Sequence, residues 1–296
     1  MLAEKEIQQE IEQLKGLQIL AQAYEEIAST RMKKIRSTVL SKRDFLIEIS
    51  EVFEQVRKSY ARQVVKLVKR KGIKRGGKIT FLAHNGKTVA LFLSANTGLY
   101  GDIVKKTFNE FIKEVREKNS EVTIVGRQGL ALYLQEEPNR PYTYFDLPDH
   151  SATSNQVAEI IKHIVAYERI HVYYGKFINV VNQSPTLFSI AAEINLPKGD
   201  EKEVSMYLFE PSLEKILMFF ETEIFASLFE QSVSESELAK NASRVMAMDK
   251  AASNVTKYLE ELRNEKLRIY HRSINKKQLN SLSSVMLRKG QSYAAS

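Results

Sequence analysis

Two stretches without glycine or proline, one toward each end, constrain this chain more than any other feature. From Leu17 to Lys71 neither residue occurs, and apolar or small side chains recur at positions 7, 11, 14, 17, 21, 24, 28, 32, 35 and 39. The mean step is about 3.5 to 3.6 residues, so the stripe stays on one helical face long enough to pack along a partner. Beyond it, Gly72, Gly76 and Gly77 interrupt a run of lysines and arginines and break the helix. The second stretch opens at Pro211-Ser212, with the serine placed as a helix cap and Glu214 in the first turn, and runs to Lys289. Within it Leu238, Ala242, Val245, Met248, Ala252, Val255, Leu259 and Leu262 alternate steps of three and four, the spacing of a coiled-coil seam.

Length turns these stripes into a prediction about pairing. A continuous helix over the second stretch measures about 117 Å at about 1.5 Å per residue. A globule of this chain length has a radius of gyration of only about 19 Å. The helix is therefore expected to project, its stripe needs a cover, and the striped helix at the opposite end supplies one, antiparallel. The alternative is that each helix packs on the middle of the chain or on a second copy.

The middle reads as α/β. Residues 78–84 and 87–93 flank Asn85-Gly86, a two-residue hairpin signal. After Ser94-Ala-Asn-Thr-Gly98-Leu-Tyr-Gly101 comes an amphipathic helix over about 103–117, a strand over 121–126 and a short helical stretch. A proline-containing loop over 136–150 is followed by a helix over 155–167, a strand over 170–174 and another near 186–194. Strands alternating with helices imply a small sheet with helices packed on it. The fold class is thus α/β: a long antiparallel coiled coil of the N- and C-terminal helices with a small α/β domain inserted between them. Domain bounds are expected at 1–75, 76–200 and 201–296.

Composition narrows the classes. The 296 residues are 43% hydrophobic, ample for a core, and contain no cysteine, which excludes a disulfide framework and a thiolate zinc site. The N-terminus alternates apolar and charged residues without the apolar run of a signal peptide, so an intracellular chain is expected. The greasiest stretch, 216–229, carries Glu221 and Glu223 and falls short of the roughly 20 apolar residues of a spanning helix. The formal charge of +8 is concentrated: Arg57 to Lys78 holds ten Lys or Arg and no acid, and Arg263 to Lys289 is similarly biased. A basic balance suits nucleic acid, anionic lipid or acidic protein surfaces about equally, so it identifies no partner.

Catalytic and ligand-binding signals are weak. Gly98-Leu-Tyr-Gly101 follows a strand but completes neither dinucleotide nor phosphate-loop spacing, and reads as a strand-to-helix turn. Ser212-Leu-Glu-Lys215 has the spacing of some acylating serines, yet a helix start explains it. His84, His150, His163, His171 and His271 include no pair placed to share a helical face. No catalytic residue, cofactor site or metal site is read from the sequence. A coiled-coil nucleic-acid-binding or regulatory adaptor is the alternative from another class.

Several segments carry a resemblance across nearly the whole chain. In the run from Ser234 to Asn254, Arg244, Ala247, Met248, Asp249, Ala251 and Asn254 fall on a pattern shared with the gamma, or central-stalk, subunits of F-type rotary ATP synthases. Tyr207-Leu-Phe-Glu-Pro211, Gly98-Leu-Tyr-Gly101, Val125-Gly-Arg-Gln-Gly129, Tyr173-Tyr-Gly-Lys-Phe177 and Asn182-Gln-Ser-Pro-Thr186 are similar to further segments of that family. Departures lie in Leu17 to Tyr24, which lacks the family's lysines and threonines, and at Leu267, Tyr270, His271, Ile274, Asn275 and Lys277.

The resemblance implies a non-catalytic rotor coupling rotation of a membrane ion-carrying ring to conformational change at catalytic sites that make ATP. Its implied partners are the alpha and beta ring subunits, an epsilon-type stalk subunit and the membrane c-ring, with no nucleic acid. The implied location is peripheral, at the cytoplasmic face of the cell membrane. Coil and rotor contacts are then expected at Tyr24, Arg244, Ala247, Met248, Ala251, Asn254, Val255, Leu262 and Ile274, and a domain turn at Gly98 and Gly101. The resemblance also sets Tyr24 opposite Arg244, so that paired positions total about 268 and the tyrosine ring can hold the guanidinium.

Overall fold

A computed structural model describes residues 2–59, 85–118, 120–150, 152–191 and 212–293. The glycine-broken basic segment near Gly72, the first strand of the expected hairpin and the segment from Val204 to Glu210 lie outside the described residues. The elements in chain order are α1 (Leu2–Ser59), β1 (Thr88–Leu93), α2 (Ile103–Glu117), β2 (Glu121–Val125), α3 (Arg127–Glu136), β3 (Thr143–Phe145), α4 (Ser154–Ile164), β4 (Arg169–Phe177), β5 (Gln183–Ala191) and α5 (Leu213–Tyr293).

The two long helices form where the sequence lacks breakers. Ser212 Oγ accepts from the Lys215 N–H at 3.4 Å, satisfying one of the first free donors of α5. Two compact units divide the chain: Met1–Ile27 with Ala247–Ser296, and Ala28–Met246.

In the first unit α1 and α5 run antiparallel around a seam of Ile7, Ile11, Leu259 and Leu262, with Leu14, Val255 and Ile269 packed against it. Polar pairs flank the seam: Tyr258 Oη donates to Glu10, Lys266 Nζ to Gln8 and Gln18 Nε2 to Thr256 Oγ1. Their paired numbers total roughly 270, near the register that the resemblance implies. The inward position after Leu14 is Gln18, whereas Leu17, expected in the stripe, is 54% exposed. Steps of four and then three from Leu14 lead to 18 and 21, and Thr256 supplies the hydrogen bond that lets a glutamine sit there.

In the second unit the same two helices meet through Lys42 and Glu230, 3.0 Å apart, and through the rings of Phe53 and Phe220, 5.8 Å apart. Beside them the described residues form a five-stranded sheet of order β3-β2-β1-β4-β5, parallel except for β5, which pairs antiparallel with β4. β1 is central and buried on both faces, which is why it reads as a continuous apolar run. Val89, Leu91 and Leu93 face the core shared with α4 and with Phe225 and Phe229 of α5. Ala90 and Phe92 face the opposite core, where the Phe92 and Phe111 rings stack with centroids 5.3 Å apart.

Capping sets the start of α4: Thr153 Oγ1 accepts from the Gln156 N–H, and Gln156 Oε1 accepts from the Thr153 N–H at 3.0 Å. An Asx turn at Asn179, whose Oδ1 accepts from the Val181 and Asn182 N–H groups, closes β4 onto β5 and starts the pairing at Gln183, ahead of the expected position. The proline-containing loop holds β3, a strand that the sequence did not announce: three residues between turns leave no alternation to detect.

Candidate functional site

Where α5 passes the C-terminal ends of β1 and β2, the helix is buried nearly all round. Every residue from Leu238 to Arg244 is buried, including Lys240, Asn241 and Arg244, with Asn241 fully covered. Buried polar groups need partners. Lys240 and Arg244 find theirs in the turn after β1 and the loop after β3, whereas Asn241 Nδ2 donates to the Glu237 carbonyl of its own helix at 2.8 Å.

The turn after β1, Ser94 to Asp102, changes direction through two residues with positive φ: Leu99 at 67° and Gly101 at 60°. Glycine adopts this region freely, whereas a leucine there is strained. The strained Leu99 presents its carbonyl to Arg244 Nε at 3.3 Å, and the Gly98 carbonyl accepts from Nη2 at 2.7 Å. Nη2 also reaches Thr97 Oγ1 at 3.3 Å. The guanidinium carbon lies 3.8 Å from the centroid of the buried Tyr100 ring, a cation–π contact in a desolvated place. Burial raises the Tyr100 phenol above its ordinary range, so the ring stays neutral beneath the cation.

Asp149 is the second hub. Its carboxylate accepts from the Asn96 N–H at 2.9 Å, the Thr97 N–H at 2.7 Å and Thr97 Oγ1 at 2.7 Å. Lys240 Nζ approaches the same carboxylate at 3.4 Å and donates to the Ser94 carbonyl at 2.9 Å. Burial pushes the Asp149 carboxyl up, but Lys240 and the backbone and hydroxyl donors outweigh it and hold it below the ordinary carboxylate range. Burial pulls the Lys240 ammonium below its ordinary range, against the attraction of Asp149.

Two further contacts extend this row along α5. Tyr174 Oη of β4 donates to Glu235 at 2.9 Å. His150, next to Asp149, shares Nδ1–H with Glu237 at 3.2 Å. Residues 235, 237, 240 and 244 of one helix thus grip a strand, a turn and a loop of the α/β layer. Each is a directional bond that resists sliding or rotation of the helix against the sheet, which apolar packing alone resists less.

The close fit continues at β2. A Cβ on Gly126, whose φ is 99°, would lie 2.9 Å from the Ala95 backbone. The Gly-Arg-Gln-Gly spacing is therefore a close-approach device, with Gln128 N–H donating to the Ala95 carbonyl at 2.8 Å.

Of the residues singled out from the sequence, Arg244, Gly98 and Gly101 meet at this junction. Met248 and Leu262 are buried, and Val255 and Leu262 join the apolar seam of the first unit. Tyr24, Ala247, Ala251 and Ile274 are half-buried, and Asn254 is exposed. Tyr24 belongs to the first unit and Arg244 to the second. Within the second unit the ring under the guanidinium is Tyr100, a residue given no such role in advance. Asp149, Lys240 and Glu235 carry no such signal in the sequence either, since an acidic loop residue and charged helix residues ordinarily mark solvent. Two of the histidines are engaged in the α/β layer: His163 Nε2 bonds Thr123 Oγ1 at 3.1 Å, and His171 shares Nδ1 with Glu114. Among the described residues no cluster of His, Cys, Asp and Glu has the arrangement to hold a metal ion.

Comparison with known proteins covers almost the whole chain. Residues 3–274 match the sequence profile of the ATP synthase family. The ATP synthase gamma chain of Pelotomaculum thermopropionicum is 22% identical over 269 residues, covering 87% of this chain and 89% of its own. That of Ruthia magnifica is 24% identical over 280 residues, covering 89% and 91%. Among solved structures, a chain of the central stalk and c-ring of the Tetrahymena thermophila mitochondrial ATP synthase superposes with a TM-score of 0.56 at 19% identity, over 78% of this chain and 99% of that one. A rotor chain of the Euglena gracilis mitochondrial ATP synthase gives 0.50 at 16% identity, over 83% and 99%.

Proposed function

Because this chain belongs to the ATP synthase family, as one of its gamma chains, we propose that it is the central-stalk rotor of such a machine, transmitting torque without itself catalysing a reaction. The single observation that carries the reading is the polar junction on α5. A shaft that turns under load needs its helix keyed to its base. Glu235, Lys240 and Arg244 key it to β4, to Asp149 and to the Thr97–Leu99 turn.

The surface of the first unit supports a bearing role. Leu17, Ile19, Leu20 and Ile27 of α1, and Leu267, Tyr270, Leu279 and Leu282 of α5, are large apolar side chains left exposed. Apolar rather than fixed charged contacts suit a shaft that must leave one face of a sleeve for the next. The sleeve is the ring of alpha and beta subunits, and an off-axis coil turning in it presents a different face to each catalytic site, shifting nucleotide affinity in sequence. The unit that holds the α/β layer meets an epsilon-type stalk subunit and the membrane c-ring. No helix among the described residues is long and apolar enough to cross a membrane. The chain is peripheral and reaches the membrane through the complex, at the cytoplasmic face.

Affinity purification of the tagged chain from native membranes tests this. The expected result is co-purification of nucleotide-binding ring subunits and a small membrane-ring protein. Recovery of nucleic acid, or of the chain alone, contradicts it.

A further inference from the structure

Three elements converge on one imidazole. His150 sits in the loop between β3 and α4, its Nε2 meets the guanidinium of Arg31 on α1, and its Nδ1 meets Glu237 Oε1 on α5 at 3.2 Å. Arginine has only donors, so Nε2 must accept; glutamate accepts, so Nδ1 must carry the proton. Only the neutral Nδ1–H tautomer fits both neighbours. All three residues belong to the second unit.

We propose that neutral His150 is a positioning residue that ties α1 to α5 through the α/β layer, and that its protonation releases α1. This inference deepens the rotor reading and rests on it for its mechanical meaning, though the link itself does not. Protonated His150 points an N–H at Arg31, replacing a hydrogen bond with two facing cations. The charged groups acting on the ring are Arg31 from α1, Glu237 from α5 and Asp149 of its own loop, the last paired in turn with Lys240 of α5. Burial first, and then Arg31, pull the imidazole below its ordinary range, while Glu237 and Asp149 oppose them. With the folded value below the unfolded one, the contribution is present above about pH 6.5 and lost as pH falls through the folded value. Glu237 keeps a donor in either state. Protonation therefore loosens the α1 side alone and turns a rigid three-way joint into a two-way one.

Hydrogen exchange on the full-length chain, corrected for intrinsic rates, reads the link at the amides of residues 28–35. Wild type is expected to lose protection there by about tenfold between pH 7.5 and 5.5, as for loss of a charge-assisted hydrogen bond. Because glutamine both accepts and donates, His150→Gln is expected to retain protection at both values, whereas His150→Leu is low at both. A wild-type chain insensitive to pH, or a His150→Gln chain that follows the wild-type fall, overturns the proposal, and so does His150→Leu matching wild type at pH 7.5. Failure of the tagged chain to co-purify with ring subunits is a separate result that strikes the rotor reading and leaves the link standing.

Discussion

The guanidinium of Arg244 rests 3.8 Å above the Tyr100 ring while it donates to the carbonyls of Gly98 and Leu99. Stacking and forked donation both require a planar, five-donor cation, so lysine is no substitute here. Arg244→Ala is expected to cost about 2 to 4 kcal/mol, combining a buried cation–π contact with orphaned carbonyls. Arg244→Lys should recover less than half of that. Urea unfolding of the purified chain measures both, and a lysine variant as stable as wild type would show that the fork is unimportant.

Asp149 and Lys240 should not be equivalent. Asp149→Asn leaves a buried ammonium without its counter-charge and is expected to cost about 3 to 5 kcal/mol. Lys240→Met leaves Asp149 with three donors from Asn96 and Thr97, so about 1 to 3 kcal/mol is expected. The pH dependence has a definite sign. The folded Asp149 carboxyl is held low, so its contribution is full above about pH 3.9 and is lost as pH falls through the folded value. Thermal unfolding from pH 6 to pH 3 should show a shallower acid decline for Asp149→Asn than for wild type; parallel declines would remove Asp149 from the account.

Two glycines should respond to alanine with opposite signs. At Gly126 a methyl group meets the Ala95 backbone at 2.9 Å with φ at 99°, so Gly126→Ala is expected to lose at least about 2 kcal/mol. Gly16 lies within α1 with nothing within 4 Å of an added Cβ, so Gly16→Ala is expected to gain about 0.5 to 1 kcal/mol. Differential scanning calorimetry of the pair decides whether this packing is right.

The seam of the first unit admits a face test. Leu262 is 6% exposed and packs with Ile7 and Ile11, whereas Lys257 is exposed. Leu262→Asp is expected to destabilise by several kcal/mol, roughly 3 or more, and Lys257→Asp by under about 0.5 kcal/mol. Equal losses in circular-dichroism melts would place the seam on another face.

Much of this fold is legible in the sequence, for a physical reason. The absence of glycine and proline and a three-four step in small and apolar residues specify a helix and its buried face without tertiary information, and so α1, α5 and the seam from Leu259 to Leu262 stand out. The central strand β1 is legible as an apolar run because it is buried on both faces. The junction is another matter. Lys240 and Arg244 are charged residues on a helix, a pattern identical to a solvated face until Asp149, Tyr100 and the Gly98 carbonyl are placed beside them. Leu99 at positive φ leaves no mark, because leucine does not advertise that conformation. Gln18, half-buried and bonded to Thr256, stands at the inward position expected of Leu17, and a glutamine gives no apolar signal there.

A chain that turns within a catalytic ring can be watched directly. The chain lacks cysteine, and Lys113 on α2 has a side chain 61% exposed. With Lys113→Cys carrying a bead and the ring subunits fixed to a surface, ATP should drive sustained rotation in one direction, in step with hydrolysis. ATP hydrolysis by the same immobilised complex with the bead showing only random motion would contradict the rotor account.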